Sequence, residues 1–188
     1  MGLLGKMGEA IYFSPAEISF INGTFSKAEK LAEKHFHLSP EDWETHRYEV
    51  KTLADLEEHE IYNRAFAHLC KYYYESEDSI DKEKNIHFYR ICLQDNRILN
   101  AVERGSSFIK LMPLMLYIAT HELIHIVRFN RGESDFEAPM EEKIKEEERV
   151  HSITRNILRP IADNNLNLVL DCFGNQYHIG DIFDLTRN

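Results

Sequence analysis

Between Leu111 and Val127 the chain is apolar on every side of a helical wheel, yet it carries the pentapeptide His121-Glu122-Leu123-Ile124-His125. No other stretch limits the fold as strongly. Leu114, Tyr117, Ile118 and Ile124 lie near the histidine face, and Leu116, Ala119, Leu123 and Val127 lie opposite. A helix with no polar side has to be central to its domain. Two imidazoles and a carboxylate inside such a helix cost stability unless something satisfies them. A metal ion can do that. Residues four apart stand above one another on one helical face, so His121 and His125 reach a single ion while Glu122 projects beside it. This is the HExxH zinc signature, in which the metal acidifies a water and the carboxylate takes its proton.

The expected surroundings are α+β: a mainly helical part over 1–75, a small β-sheet, then the HExxH helix and a glutamate-bearing helix. Ser14-Pro15-Ala16-Glu17 has an N-cap, a proline at the first helical position and a capping-box glutamate. Gly23 is expected to end that helix, and Ser26 to open another reaching about His35. Ser39-Pro40-Glu41-Asp42 starts a further turn around Trp43, and residues 47–51 alternate as a strand. Thr52 is read as the cap of a long helix over 53–75, with Leu56, Phe66, Leu69 and Tyr73 in its stripe. Residues 76–84 form a polar loop. Residues 86–93 and 97–102 read as two strands of a hairpin about Asp95-Asn96. Gly105 turns the chain toward Pro113, which fits the first turn of the HExxH helix. Residues 141–158 form a last long helix, and 166–172 and 177–179 read as short strands.

Catalytic zinc takes three protein ligands and keeps one position for water. A class of zincins continues HExxH into xxGxxH, but those positions hold Arg128 and Arg131 here, which excludes it. The other source is a glutamate on the following helix, which carries Glu146-Glu147-Glu148. Around the stripe of Val150, Ile153 and Ile157, helical periodicity places Glu146 and Glu147 closer than Glu148. The same run, EEKIKEEER, also has the i,i+4 charge spacings of a solvated face.

Over residues 86–158 the chain resembles the gluzincin-like zinc metallopeptidases, including the small minimal-zincin members. The resemblance rests on HExxH and on a glutamate followed two, five and nine positions later by apolar residues. Glu148 fits that spacing with Val150, Ile153 and Ile157, although His151 and Ser152 stand where the family often has an acidic or amide residue. The resemblance implies Zn²⁺ held by His121, His125 and Glu148, with Glu147 as second choice. It also implies a sheet whose edge strand lies over the cleft and receives an extended peptide. Glu122 is then the general base for peptide-bond hydrolysis. His151, Arg128, Tyr177 and His178 are candidates for oxyanion stabilisation or ligand support. His35 and His37, and the run Glu57-Glu58-His59-Glu60, read as surface.

At 188 residues the chain is expected to form one domain. A net charge of −10 without a Lys/Arg cluster argues against nucleic acid and anionic membrane as partners. The N-terminus lacks the apolar stretch of a signal peptide, and the run into His121 is too short to span a bilayer. A cytoplasmic protein acting on peptide or protein substrates is the expectation. Cys70, Cys92 and Cys172 lie far apart in sequence with no CxxC pair, which argues against a disulfide framework or a cysteine zinc site. Glu122-Leu123-Ile124-His125 and Glu148-Arg149-Val150-His151 also read as paired ExxH motifs. The chain between them is too short for the extra helix of a di-iron bundle. Two further readings remain: a catalytically silent metal-binding module, and a metal-free structural protein.

Overall fold

A computed structural model describes residues 11–74, 87–105 and 108–173. The fold is α+β. Helix α1 (Pro15–Phe36) is followed by strand β1 (Tyr48–Lys51), strands β2 (Ala67–Tyr73) and β3 (His87–Leu93), and helices α2 (Asp95–Arg104), α3 (Leu111–Asn130), α4 (Met140–Leu158) and α5 (Asn164–Phe173). The sheet order is β1-β3-β2, with β1 parallel and β2 antiparallel to the central β3. Every residue of α3 from Leu114 to Val127 is buried, and α3 packs against α1, α2, α4, α5 and β2. Tyr89, Ile91 and Leu93 alternate along β3 and enter the same core. Among the described residues no helix is long and apolar enough to cross a membrane.

The capping box at Ser14 forms as read: Ser14 Oγ accepts from Glu17 N, and Glu17 Oε2 accepts from Ser14 N at 2.7 Å. The helix does not stop at Gly23. Ile21, Thr24, Phe25, Ala28 and Ala32 form one continuous buried stripe. Burying it outweighs the cost of about 1 kcal/mol for a helical glycine. The small Ala28 and Ala32, both fully buried, let α1 approach α3 closely. The turn at Pro40 and the strand β1 are where the sequence placed them.

Three expected elements differ. Thr52 opens only a 3-10 turn, Leu53–Asp55, and the long helix over 53–75 is replaced by that turn, a second one and strand β2. The aromatic and β-branched composition of β3 offers residues 67–73 a ladder over their whole length, from Ala67 opposite Leu93 to Tyr73 opposite His87. Residues 97–102 lie within α2 rather than in a hairpin strand. Ile98, Leu99, Ala101 and Val102 pack on the core at helical spacing. Residues 166–172 belong to α5, where Leu166, Val169 and Leu170 repeat at three and four. Asp163 Oδ1 accepts from Leu166 N at 2.8 Å and starts that helix. The expected loop over 76–84 and strand over 177–179 lie outside the described residues.

Two buried carboxylates tie distant segments together. Asp95 accepts from Phe13 N at 3.0 Å and from Leu53 N at 2.9 Å. Glu60, expected on a solvated face, is fully buried instead. It accepts from Tyr72 Oη, from Glu57 N at 2.9 Å and from Arg90 Nη1 at 2.6 Å. Burial pushes its carboxyl up, but these donors together outweigh burial and hold it at about 2, against an ordinary 4.5.

Replacing Asp95 by Ala orphans two buried N–H groups and is expected to cost about 2–4 kcal/mol, read as a lower urea midpoint. The depressed Glu60 value has a definite sign: its contribution is complete above pH 4.5 and is lost as pH falls toward 2. The stability gap between the wild type and Glu60→Gln is therefore expected to shrink across that window. A gap constant with pH in denaturation curves would contradict it.

Candidate metal centre

One turn of α3 separates His121 from His125, and their Nε2 atoms lie 3.2 Å apart. Glu147 of α4 closes the triangle, with Oε2 3.2 Å from His121 Nε2 and Oε1 3.1 Å from His125 Nε2. Two imidazole nitrogens cannot point lone pairs at each other and at a carboxylate without a proton or cation among them. Around a tetrahedral zinc with nitrogen and oxygen ligands at about 2.0–2.1 Å, neighbouring ligand atoms stand about 3.3 Å apart. The two imidazole nitrogens and the two carboxylate oxygens, one facing each histidine, stand at that spacing, and imidazole and carboxylate are zinc's own ligand types. The residues present therefore fit the ion that HExxH implies.

Of the three glutamates, Glu147 is the one whose carboxylate meets both histidine nitrogens. Glu148 is exposed at the rim, while Glu146 is buried and Glu147 partly so. The buried stripe of α4 runs through Glu146, Val150, Thr154, Ile157 and Leu158. Ile153 is only half-buried. At about 100° per residue this stripe is flanked by Glu146 on one side and Glu147 on the other, and Glu148 points away. Helical periodicity had placed these two closest, and the family spacing had favoured Glu148.

Glu146 has another partner. Its carboxylate meets Arg128 in two parallel bonds, Nε to Oε1 at 2.7 Å and Nη2 to Oε2 at 2.9 Å. Arg128 also donates to Glu133 at 2.6 Å. Glu146 Oε1 stands 4.0 Å from His125 Nδ1, a nitrogen that is buried with no hydrogen-bond partner. Arg128 thus supports the site through Glu146 rather than facing the ligand atoms.

His151 sits one turn after Glu147, with Nε2 4.0 Å from Glu147 Oε2. Its Nδ1 is hydrogen-bonded to Tyr117 Oη at 2.5 Å, and its ring centroid lies 4.5 Å from that of His121. Tyr117, one turn before His121, reads in the sequence as apolar wall near the histidine face, and its hydroxyl's partner, His151, is not apparent there. The i,i+4 spacings Tyr117–His121 and Glu147–His151 were the available signal.

Glu122 is buried, and burial pushes its carboxyl up while His121 and His125 draw it back down. For Glu147 the order is reversed: burial pushes its carboxyl up, but His125 and His121 hold it well below the ordinary range. All these groups line one cavity of about 580 Å³. Its walls are α3, α4, the β2 edge at Phe66 to Cys70, and Phe136 and Phe173. His59 and His68 also reach it. His35 and His37 do not belong to its lining, and Tyr177 and His178 lie outside the described residues.

Compared with known proteins, the chain matches no family model, no curated protein and no solved structure.

The placement of the glutamates separates two variants. Glu147→Ala is expected to weaken Zn²⁺ binding at least tenfold, whereas Glu148→Ala leaves it within about twofold. Competition with a chromophoric chelator reads both, and equal losses would reject the assignment of Glu147.

Proposed function

We propose that the chain is a zincin-like metallopeptidase that hydrolyses peptide bonds in this cavity. The observation that carries the reading is the triangle of His121 Nε2, His125 Nε2 and Glu147 carboxylate oxygens at 3.1–3.2 Å, with the buried Glu122 in the same cavity. His121, His125 and Glu147 hold Zn²⁺. Bound there, the ion supplies a Lewis acid that lowers the pKa of a water and polarises the scissile carbonyl.

The remaining steps belong to the chain. Glu122 accepts the proton of the attacking water and passes it to the leaving amine. Burial supports that role, because a carboxyl held above its ordinary range is the stronger base. His151, held through Nδ1 by Tyr117, presents Nε2 toward the cluster and donates to the developing oxyanion. Glu146, pinned by Arg128, steadies the His125 ring from behind.

Strand β2 supports a peptide as substrate. Among the described residues it pairs with β3 on one side only, and its residues Ala67 to Cys70 line the cavity. An extended segment can add to such an edge through backbone hydrogen bonds, with side chains falling alternately into the cavity. A cavity of about 580 Å³ holds side chains rather than a folded partner.

Digestion of a peptide library by the zinc-loaded chain, followed by mass spectrometry, tests the reading. Cleavage is expected, with Glu122→Gln reducing turnover about 10²–10⁴-fold while retaining the metal. If the wild type binds one zinc in this site and cuts no peptide, the site is a binding module and the peptidase reading falls.

A further inference from the structure

A second set of donor atoms lies on the sheet, made by residues that take no part in the site above. His68 and Cys70 alternate on β2, so both project from one face. Cys92 is the residue opposite His68 on β3. The register brings Cys70 Sγ to 3.5 Å from His68 Nε2 and 3.8 Å from Cys92 Sγ. All three ligand atoms fall within 4.8 Å of one another.

Those spacings are the ones a metal requires. With sulfur at about 2.3 Å and nitrogen at about 2.0 Å, a tetrahedral ion sets two sulfurs about 3.8 Å apart and sulfur and nitrogen about 3.5 Å apart. The plain alternative is a pair of hydrogen-bonded thiols. Cys92 Sγ already has Arg90 O as an acceptor at 3.8 Å, so it does not need Cys70. A disulfide fits poorly. Cys70 pairs with Arg90, so Cys70 and Cys92 are diagonal in the ladder. Diagonal positions stand about 7–8 Å apart, beyond the reach of about 7 Å for an unstrained bridge. Two metal–sulfur bonds span that gap.

Charge agrees. Arg90, which neighbours this cluster, is already engaged by Glu49 and Glu60, each at 2.6 Å. Two thiolates, one neutral imidazole and a divalent ion sum to zero, which suits a site where Cys92 is fully buried. Mixed thiolate and imidazole ligands select Zn²⁺ and chemically similar ions over Mg²⁺ or Ca²⁺.

We propose that His68, Cys70 and Cys92 form a second, Cys₂His metal site for Zn²⁺ on the sheet wall of the cavity. His68 and Cys70 line the cavity that also contains His121 and Glu122. Three protein ligands leave a fourth position for water or a cavity ligand. The site stands independently of the peptidase reading, since it shares no ligand with it.

Cobalt(II) distinguishes the two sites, because only the sheet site has sulfur. Titrating the reduced, metal-free full chain with Co²⁺ is expected to produce sulfur-to-cobalt charge-transfer absorption that is complete by two equivalents in the wild type and by one in Glu147→Ala. The band is expected to survive Glu147→Ala, to fall to half or less in Cys70→Ser, and to be unchanged in Cys172→Ser. Cobalt uptake by the wild type without this band, or no uptake at all, overturns the proposal, and this holds even if a cysteine variant fails to fold. Full intensity in Cys70→Ser or loss in Cys172→Ser overturns it equally.

Discussion

The burial of α3 is the constraint on which the other elements depend. Each large apolar side chain enclosed there contributes about 1.5–3 kcal/mol, and Leu114 to Val127 are enclosed without a gap. That requires partners on every side, which α1, α4, α5 and the sheet provide. The same enclosure makes His121, Glu122 and His125 expensive unless they are compensated locally. Glu147 and the Arg128–Glu146 pair are that compensation, and both come from contacts between α3 and α4. Site geometry and core packing are therefore one problem, and the ligand atoms inherit the rigidity of a close-packed interior.

What could be read in the sequence had a local cause. The Ser14 cap, the turn at Pro40, strands β1 and β3, and helices α3 and α4 each announce themselves within a few residues. What could not be read depended on distant partners. Residues 67–73 become a strand because β3 lies alongside, and nothing within them excludes a helix. Gly23 continues α1 because a stripe on both sides of it is buried on α3. Cys70 and Cys92 are 22 residues apart in sequence and meet only through the strand register. The glutamates teach a different lesson. Periodicity set Glu146 and Glu147 beside the buried stripe, and the structure pairs Glu146 with Arg128 and Glu147 with the two histidines. The family spacing pointed to Glu148, which is exposed.

Arg128 shows how support for the site is shared with the scaffold. Its guanidinium spans from α3 to Glu146 on α4 and to Glu133 in the connection between them. A buried pair of this kind adds little net stability against an apolar replacement. Its value lies in direction. The fork geometry fixes the orientation of Glu146, and the next residue on the same helix, Glu147, meets His121 and His125.

Among the described residues, the central strand of the sheet is also its last in chain order. As the polypeptide leaves the ribosome, β1 and β2 emerge with no ladder to join, and their backbone donors and acceptors wait on water until β3 arrives between them. The α3 histidines follow the sheet, and Glu147 follows them. Assembly is thus directional: a sheet completed by its middle, then the helix that covers it, then the carboxylate. A nascent chain truncated before β3 has both edges of a sheet and no sheet. One halted after α3 has both imidazoles and no Glu147.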